Sequence, residues 1–261
     1  MNPTRRATIV TLATWLAGCG GGGSDVSAPR LAGSLQTTSL TAQASGLSYP
    51  LSIYLPPDDG TPRNTLSVVY LLDGESRFLT TVNLVEASRT RVILVGIGNE
   101  AYRSHDYVPF NSCTPNGGGE GAFLDFIRFE LIPHIDATVG GNPARRALLG
   151  HSHGGSFVLY ALYAEAPGSH RFSAYLASDA SIGCMPGFVY GWDESYSARF
   201  STLPVRVHLS YGANLANIPF VDQLLARHYG GLALASSFYA GGHIGMIPAA
   251  FADAIGFAFA A

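Results

Sequence analysis

The feature that most constrains this chain is the pentapeptide Gly-His-Ser-His-Gly at residues 150–154, which matches the pattern G-x-S-x-G. A short apolar run at residues 147–149 precedes it, and apolar residues at helical spacing follow it over residues 157–162. The serine therefore falls at a turn from a strand to a helix, where this pattern presents a nucleophile. The glycines on either side leave room for the backbone to reverse. We predict that Ser152 is a nucleophile exposed above the end of its strand.

Two histidines flank this serine and raise the alternative of a metal site. His151 and His153 stand one residue apart, a spacing that also occurs between metal ligands. Side chains that flank a tight turn point in different directions, however, and no Asp-His pair follows them. We therefore expect no metal at this turn and no cofactor in the protein.

The rest of the chain alternates between apolar runs and helical patterns. Strands are predicted directly before Ser152 and at residues 35–41, 49–55, 67–72, 91–97, 172–177, 204–209 and 232–239. The first two resemble an antiparallel pair, and helical patterns or long loops separate the later ones. This alternation predicts an α/β fold with a mainly parallel central sheet and helices on both faces. In such a sheet, function collects at the carboxyl ends of the strands.

The N-terminus has the pattern of an export signal. Arg5 and Arg6 precede a mainly apolar run at residues 7–17, which is too short to span a bilayer. Residues 16–19, Leu-Ala-Gly-Cys, resemble the lipobox of bacterial lipoproteins, and this resemblance implies cleavage before Cys19 and a lipid on its sulfur. We expect an exported protein that is held to a bacterial membrane by lipid alone and faces the periplasm or the cell exterior.

Composition divides the chain into three parts. Residues 1–18 form the leader, a glycine-rich segment predicts a flexible tether over residues 19–30, and residues 31–261 fit one domain. Cleavage of the leader removes two of the 15 basic residues and none of the 18 acidic ones, which leaves a net charge of −5. The mature chain has no basic cluster to neutralise phosphates, so we expect no nucleic-acid partner. The sequence does not indicate an oligomeric state.

Cysteine usage agrees with an exported protein. If Cys19 carries lipid, Cys113 and Cys184 remain as an even pair in an oxidising compartment. Both lie in loops just after predicted strands, at the sheet edge where Ser152 also lies. We predict that they form a disulfide; the alternative is two unpaired cysteines that act as small apolar side chains.

A serine hydroxyl is a weak nucleophile and needs a base within hydrogen-bond reach. His243 follows the last predicted strand, and the glycines around it let its loop approach the serine. We predict that His243 is this base. Four of the remaining histidines, His134, His170, His208 and His228, fall in predicted helices, a strand or a surface turn, where structural roles are more common.

The developing negative charge of an acyl-transfer intermediate needs at least two hydrogen-bond donors. We expect the backbone N–H of His153, directly after the nucleophile, and the backbone N–H of Glu75, in the loop after the third strand. The alternative for residues 72–75 is a plain Asp-Gly turn.

Several further motifs stand in a fixed order along the chain. They are YLLDGE at residues 70–75, VGIGN at 95–99 with Arg103 and Asp106-Tyr107 soon after, the segment 123–133, GHSHGG at 150–155, and GHIG at 242–245. Together, from about residue 48 to residue 258, they resemble the putative-esterase family of α/β-hydrolases, which includes S-formylglutathione hydrolases, siderophore esterases and mycolyltransferases. The resemblance implies an α/β-hydrolase fold with Ser152 as nucleophile, His243 as base, and oxyanion donors at Glu75 and His153.

The sequence departs from this family at one catalytic position. Most members carry an acid after the strand that corresponds to residues 204–209, but residues 211–217 contain no carboxylate. Asp179 and Asp222 are the candidates to orient the histidine, and some siderophore esterases resemble a Ser-His dyad that has no acid. The sequence therefore leaves open a dyad or a triad completed by either aspartate.

The loops at residues 99–121 and 181–200 are expected to form the pocket walls. Their aromatic residues favour an ester with an apolar part, although they are as well explained by packing of the loops. Arg103 could bind a carboxylate or form an internal pair with Asp106, and we favour the pair. The chain is thus predicted to be a serine esterase that cleaves a small-molecule carboxylic ester through an acyl-enzyme, similar to the siderophore esterases. An acyltransferase on the same fold and a non-catalytic, surface-binding lipoprotein remain as alternatives.

Overall fold

The computed structural model describes residues 31–260. The predicted leader, Cys19 and the tether lie outside the described residues. Within residues 31–260, eight strands form one sheet in the order β1-β2-β4-β3-β5-β6-β7-β8. The strand bounds are β1 Ser34–Thr41, β2 Ser48–Leu55, β3 Ser67–Leu71, β4 Val92–Ile97, β5 Arg146–His151, β6 Ala174–Ser178, β7 Arg206–Tyr211 and β8 Ala233–Phe238.

The sheet is antiparallel only at its start. Strand β1 pairs antiparallel with β2, and β2 pairs antiparallel with β4, while β3 to β8 run parallel to their neighbours. Strands β3 to β6 are buried along their whole length, as expected for strands covered on both faces. The mainly parallel sheet predicted from the alternation of patterns is confirmed, with each strand end within about three residues of its predicted position.

Helices cover both faces of this sheet. The helices are α1 Gly74–Ala87, α2 Arg103–Asp106, α3 Glu120–Phe126, α4 Ile132–Thr138, α5 His153–Tyr163, α6 Pro186–Ser197, α7 Asn217–Arg227, α8 Gly242–Gly245 and α9 Ile247–Phe259, with a π turn, Ile127–Leu131, that joins α3 to α4. Side chains of α1 and α9 pack on one face, and side chains of α3 to α7 pack on the other. Neighbouring strand residues alternate between these two cores because successive side chains point to opposite faces.

One helical stretch of the described residues, Gly242–Phe259, is long and apolar enough to span a membrane by length and composition. Three of its residues, Ile247, Phe251 and Ile255, are buried against the central strands in the core that α1 shares. The packing of this stretch is therefore that of a core helix.

The start of α1 differs from its predicted position. The sequence pattern predicts a helix only from about residue 79, whereas α1 begins at Gly74. Asp73 adopts a left-handed conformation with φ 54°, which turns the chain directly from β3 into the helix. A Cβ atom on Gly74 would lie 2.8 Å from the Gly96 carbonyl carbon, so the helix can start this close to β4 only with glycine there. Glu75 thus lies in the first helical turn rather than in a loop.

Space around the serine turn depends on two glycines. A Cβ atom on Gly150 would lie 2.4 Å from the Gly154 carbonyl oxygen, which confirms the need for glycine before the serine. A Cβ atom on Gly155 would lie 2.9 Å from the Ser178 carbonyl oxygen, where α5 packs against the end of β6. At Gly154 the nearest contact would be an ordinary 3.5 Å, so steric crowding does not require glycine there.

These distances make Gly154 and Gly155 a matched pair for mutation. We expect Gly155→Ala to lower the free energy of unfolding by about 1–3 kcal/mol, because a backbone carbonyl must move to admit the methyl group. Gly154→Ala should preserve that free energy or raise it by up to about 1 kcal/mol, since alanine favours a helix over glycine. Urea denaturation of both variants measures the difference, and an equal loss in the two would contradict the packing described here.

Candidate active site

Ser152 lies at the sharp turn between β5 and α5. Its backbone has φ 60° and ψ −122°, a conformation that costs free energy for any residue other than glycine. The surrounding backbone holds it there, because the Ser152 N–H donates to the Ser178 carbonyl oxygen at 2.9 Å and the Ser181 N–H donates to the Ser152 carbonyl oxygen at 3.2 Å. Strand β5 and the loop after β6 therefore fix the serine together.

His243 lies in the short helix α8, directly after the last strand. Gly241 and Gly242 precede it with φ values of 106° and 66°, which allow the chain to double back toward the serine turn. The ring of His243 contacts the ring of His151, with 4.4 Å between their centroids. Its Nδ1 atom lies 2.6 Å from Oδ2 of Asp179. The structure thus brings the predicted base next to the predicted nucleophile turn, with a carboxylate behind it.

Asp179 follows β6 and is fully buried. Its φ of 43° is left-handed, a region in which aspartate is several-fold more common than most residues. Its Oδ1 atom accepts the N–H groups of Gly212 at 2.8 Å and Asn214 at 3.0 Å. The side-chain amide of Asn214 also donates to the Asp179 carbonyl oxygen at 2.8 Å. The loop after β7, where the family usually carries its acid, here supplies donors to an acid on the neighbouring strand.

These contacts also set the charge of Asp179. Burial acts to raise the pKa of its carboxyl group, but the N–H donors of Gly212 and Asn214 and the hydrogen bond from His243 together outweigh burial and hold that pKa below its ordinary value. The group is therefore an anion at neutral pH and accepts the Nδ1–H of the His243 ring. Asp222, the other candidate acid, is exposed on α7.

The hydroxyl of Ser152 makes its one described side-chain hydrogen bond with Ser181, at 3.3 Å between the two Oγ atoms. Within residues 31–260 no hydrogen bond joins it to His243. Both residues line one pocket of about 400 Å³ at the carboxyl edge of the sheet. The pairing of the hydroxyl with the imidazole therefore stays a prediction; catalytic hydrogen bonds often form only when substrate binds.

The two predicted oxyanion donors lie at the N-termini of neighbouring helices. His153 is the first residue of α5, and Glu75 is the second residue of α1. The N–H groups of a first helical turn have no acceptor within their helix. Because β3 and β5 are paired in the sheet, both helices begin at the same edge of it, with α1 on one face and α5 on the other. Neither residue is among those that line the pocket beside Ser152, so their roles as oxyanion donors stay predictions.

The expected pairing of Arg103 is wrong. Its Nε atom donates to Oδ1 of Asp73 at 2.9 Å, and one terminal nitrogen donates to the His151 carbonyl oxygen at 3.2 Å. Asp106 instead points inward and bonds His105 at 2.8 Å and the hydroxyl of Tyr49 at 3.0 Å. Although residues three apart can pair on a helix, the two side chains of α2 bond different neighbours. Arg103 thereby ties the turn before α1 to the end of β5.

His151 is a buried neighbour of the His243 ring. Its Nδ1 atom lies 3.2 Å from the Ser178 hydroxyl, and burial, followed by the charge of His243, lowers its pKa to about 3. The ring is therefore uncharged at neutral pH. It supports the His243 ring without competing for its proton.

The predicted disulfide between Cys113 and Cys184 is present. It joins the loop after α2 to the 3₁₀ turn Ile182–Cys184, which begins directly after Ser181. The side chain of His153 lies beside the two sulfur atoms. This arrangement would resemble a Cys₂His metal site, but the sulfur atoms are bonded to each other and are not available as thiolate ligands.

Most aromatic residues of the two wall loops pack inward. Tyr107 is fully buried between Phe123 and Phe157, Trp192 packs against Tyr160, and Tyr190 packs against Phe220. The packing explanation is confirmed for these side chains. Phe110 and Phe188 are the large apolar side chains of these loops that remain exposed among the described residues.

The chain matches a known protein family over most of the residues described above. The model of a protein family described as "Putative esterase" matches residues 42–199, more than half of the chain. The chain belongs to this esterase family. The match covers the predicted oxyanion segment at residues 72–75, the serine turn and Asp179, but ends before His243.

Among curated proteins, the chain is similar to siderophore esterases. It is 37% identical over 144 residues to the siderophore triacetylfusarinine C esterase of Aspergillus fumigatus. This alignment covers 48% of this chain and 47% of that protein. It is 27% identical over 184 residues to the ferri-bacillibactin esterase BesA of Bacillus subtilis. This alignment covers 60% of this chain and 61% of that protein. The chain thus matches about half to three fifths of the length of these relatives.

Solved structures confirm the α/β-hydrolase fold. An IroE-like serine hydrolase from Shewanella oneidensis superposes with a TM-score of 0.76 at 26% identity, covering 85% of this chain and 79% of that structure. The siderophore hydrolase EstB from Aspergillus nidulans superposes with a TM-score of 0.74 at 21% identity, covering 91% of this chain and 98% of that structure. The second likeness shows the fold alone.

Proposed function

We propose that this protein is a serine hydrolase that cleaves a carboxylic ester through an acyl-enzyme. The observation that carries the proposal is the hydrogen bond between His243 and the buried Asp179, in a pocket that also contains Ser152. A carboxylate behind a histidine, beside a serine on a strained turn, is the arrangement that activates a hydroxyl nucleophile. Membership of an esterase family supports the same reaction class.

The reaction follows from these positions. The Ser152 hydroxyl attacks the ester carbonyl while its proton passes to Nε2 of His243. Asp179 holds the Nδ1–H side of the ring, which fixes the tautomer and stabilises the imidazolium that forms. The backbone N–H groups of His153 and Glu75 donate to the oxyanion of the tetrahedral intermediate. His243 then returns the proton to the leaving alcohol, and water releases the acid in a second cycle of the same steps.

The proposed substrate is a small-molecule ester of the kind that siderophore esterases cleave. Similarity to the esterases from Aspergillus fumigatus and Bacillus subtilis supports this class. The pocket is open and contains several charged side chains, which suits a polar ester better than a long acyl chain.

The alternatives carry less support. A non-catalytic binding role was suggested by the absence of an acid from the loop after β7. Asp179, which follows the neighbouring strand β6, bonds His243 and speaks against that role. Acyl transfer to an alcohol requires exclusion of water from the acyl-enzyme. The half-exposed ring of His243 favours hydrolysis instead.

We also propose that the protein is exported and anchored by a lipid on Cys19, with the domain following a tether at residues 19–30. Within the domain, Gly33 donates to Glu86 near the end of α1, at the sheet edge opposite Ser152. The active-site edge would then face away from the point of attachment. In the native host, a fatty-acid label should be incorporated by the wild-type protein and not by Cys19→Ser; equal labelling of both would refute the anchor.

The catalytic proposal predicts different effects for the two candidate acids. Asp179→Asn should lower kcat for a p-nitrophenyl ester about a thousandfold or more, because an amide can leave His243 in the wrong tautomer. The matched variant Asp222→Asn should keep wild-type kcat, since that side chain is exposed on α7. Ser152→Ala should abolish both hydrolysis and covalent labelling by a fluorophosphonate.

Two outcomes would contradict this account. Equal activity of the two aspartate variants would reduce the site to a Ser-His dyad. Fluorophosphonate labelling of Ser152→Ala at the wild-type level would assign the nucleophile to another residue.

A further inference from the structure

The pocket beside Ser152 contains two arginines in different electrostatic states. Arg103 forms an ion pair with the buried carboxylate of Asp73 at 2.9 Å, so its charge is compensated. Arg77 lines the same pocket from the first turns of α1, but forms no ion pair within residues 31–260. Glu100, the other acidic side chain of the pocket, is exposed and makes no described contact with Arg77. Arg77 is therefore the arginine of this pocket whose guanidinium has no carboxylate in direct contact among the described residues, although its charge still acts on Asp73.

The side chain of Arg77 is also short of hydrogen-bond partners. It is half-buried, and its Nε–H is shielded from solvent and has no acceptor within the described part of the chain. A buried donor without a partner costs about 1–3 kcal/mol, and a guanidinium satisfies that need best with a planar anion held by two parallel N–H groups. An external ligand cannot reach the shielded Nε–H directly, so an anion in the pocket would bind the terminal nitrogens of the guanidinium.

The location of Arg77 connects this cation to the proposed chemistry. Ser152, His243 and Arg77 line the same depression, so one small ligand can contact all three. After burial and the charge of His243, the charge of Arg77 is the next contribution that lowers the pKa of His151, the residue before the nucleophile. The field of the guanidinium therefore reaches the serine turn.

We propose that Arg77 forms a subsite for an anionic group carried by the ester, close to the bond that is cleaved. This inference rests on the proposed esterase function and adds a class of substrate to it: an ester with a carboxylate or comparable anion in its acyl or alcohol part. Arg103 holds the turn in place, and Arg77 selects the charge of the substrate.

Two matched pairs of esters test the subsite. On the alcohol side, 4-carboxyphenyl acetate is compared with 4-carbamoylphenyl acetate. On the acyl side, mono-4-nitrophenyl adipate is compared with its neutral monoamide. In at least one pair the wild-type enzyme should show the higher kcat/KM for the anion. Arg77→Gln should lower the anion-to-neutral ratio of kcat/KM in that pair about tenfold or more, which is the range expected for a charged hydrogen bond.

Two further variants separate the subsite from general effects. Arg77→Lys should keep part of the ratio, because it retains the charge without the planar donor pair. Arg63→Gln removes the same charge from an exposed 3₁₀ turn before β3, at the opposite edge of the sheet, and should keep the wild-type ratio. Thermal unfolding of each variant shows whether its fold is retained.

The outcomes are distinct. An anion-to-neutral ratio that is the same in wild type and Arg77→Gln for both pairs would overturn the subsite and leave the esterase intact. Failure of the wild-type enzyme to cleave any of the four esters would overturn the proposed function and the subsite with it.

Discussion

The proposed active site depends on the hydrogen bond between Asp179 and His243. Three loops meet at this bond, because Asp179 follows β6, its backbone donors follow β7, and His243 follows β8. A buried carboxylate is costly unless every oxygen is bonded, and here two N–H groups and one imidazole satisfy it. Loss of the carboxylate would release both the histidine and the loop after β7. The sheet brings the loops after β6, β7 and β8 together, and this bond fixes the histidine among them.

Much of this arrangement could be predicted from the sequence. Continuous apolar runs identify the buried strands, and the glycine-flanked motifs identify Ser152 and His243, because both depend on local backbone geometry. Asp179 could only be proposed beside Asp222, since an acid on a neighbouring strand leaves no spacing pattern. Its left-handed backbone and its bonds to residues more than thirty positions away exist only in the folded chain.

The wrong prediction for Arg103 also arises from contacts between distant parts of the chain. Arg103 and Asp106 are separated by one helical turn, which favours a local pair, yet Asp106 is buried and bonds Tyr49 and His105 instead. Arg103 instead bonds Asp73, thirty residues earlier, through a contact between sheet edge and loop. That pair neutralises one arginine of the pocket, whereas Arg77 forms no ion pair among the described residues.

The most direct test of this account is proton NMR of histidine-labelled protein. An Nδ1–H proton shared with a buried carboxylate exchanges slowly with water and resonates far downfield. We predict one such signal in the wild-type protein, retained when Asp222 is replaced by asparagine and absent when Asp179 is replaced. A wild-type spectrum without that signal, or a signal that survives in Asp179→Asn, would show that the carboxylate does not hold the histidine in solution.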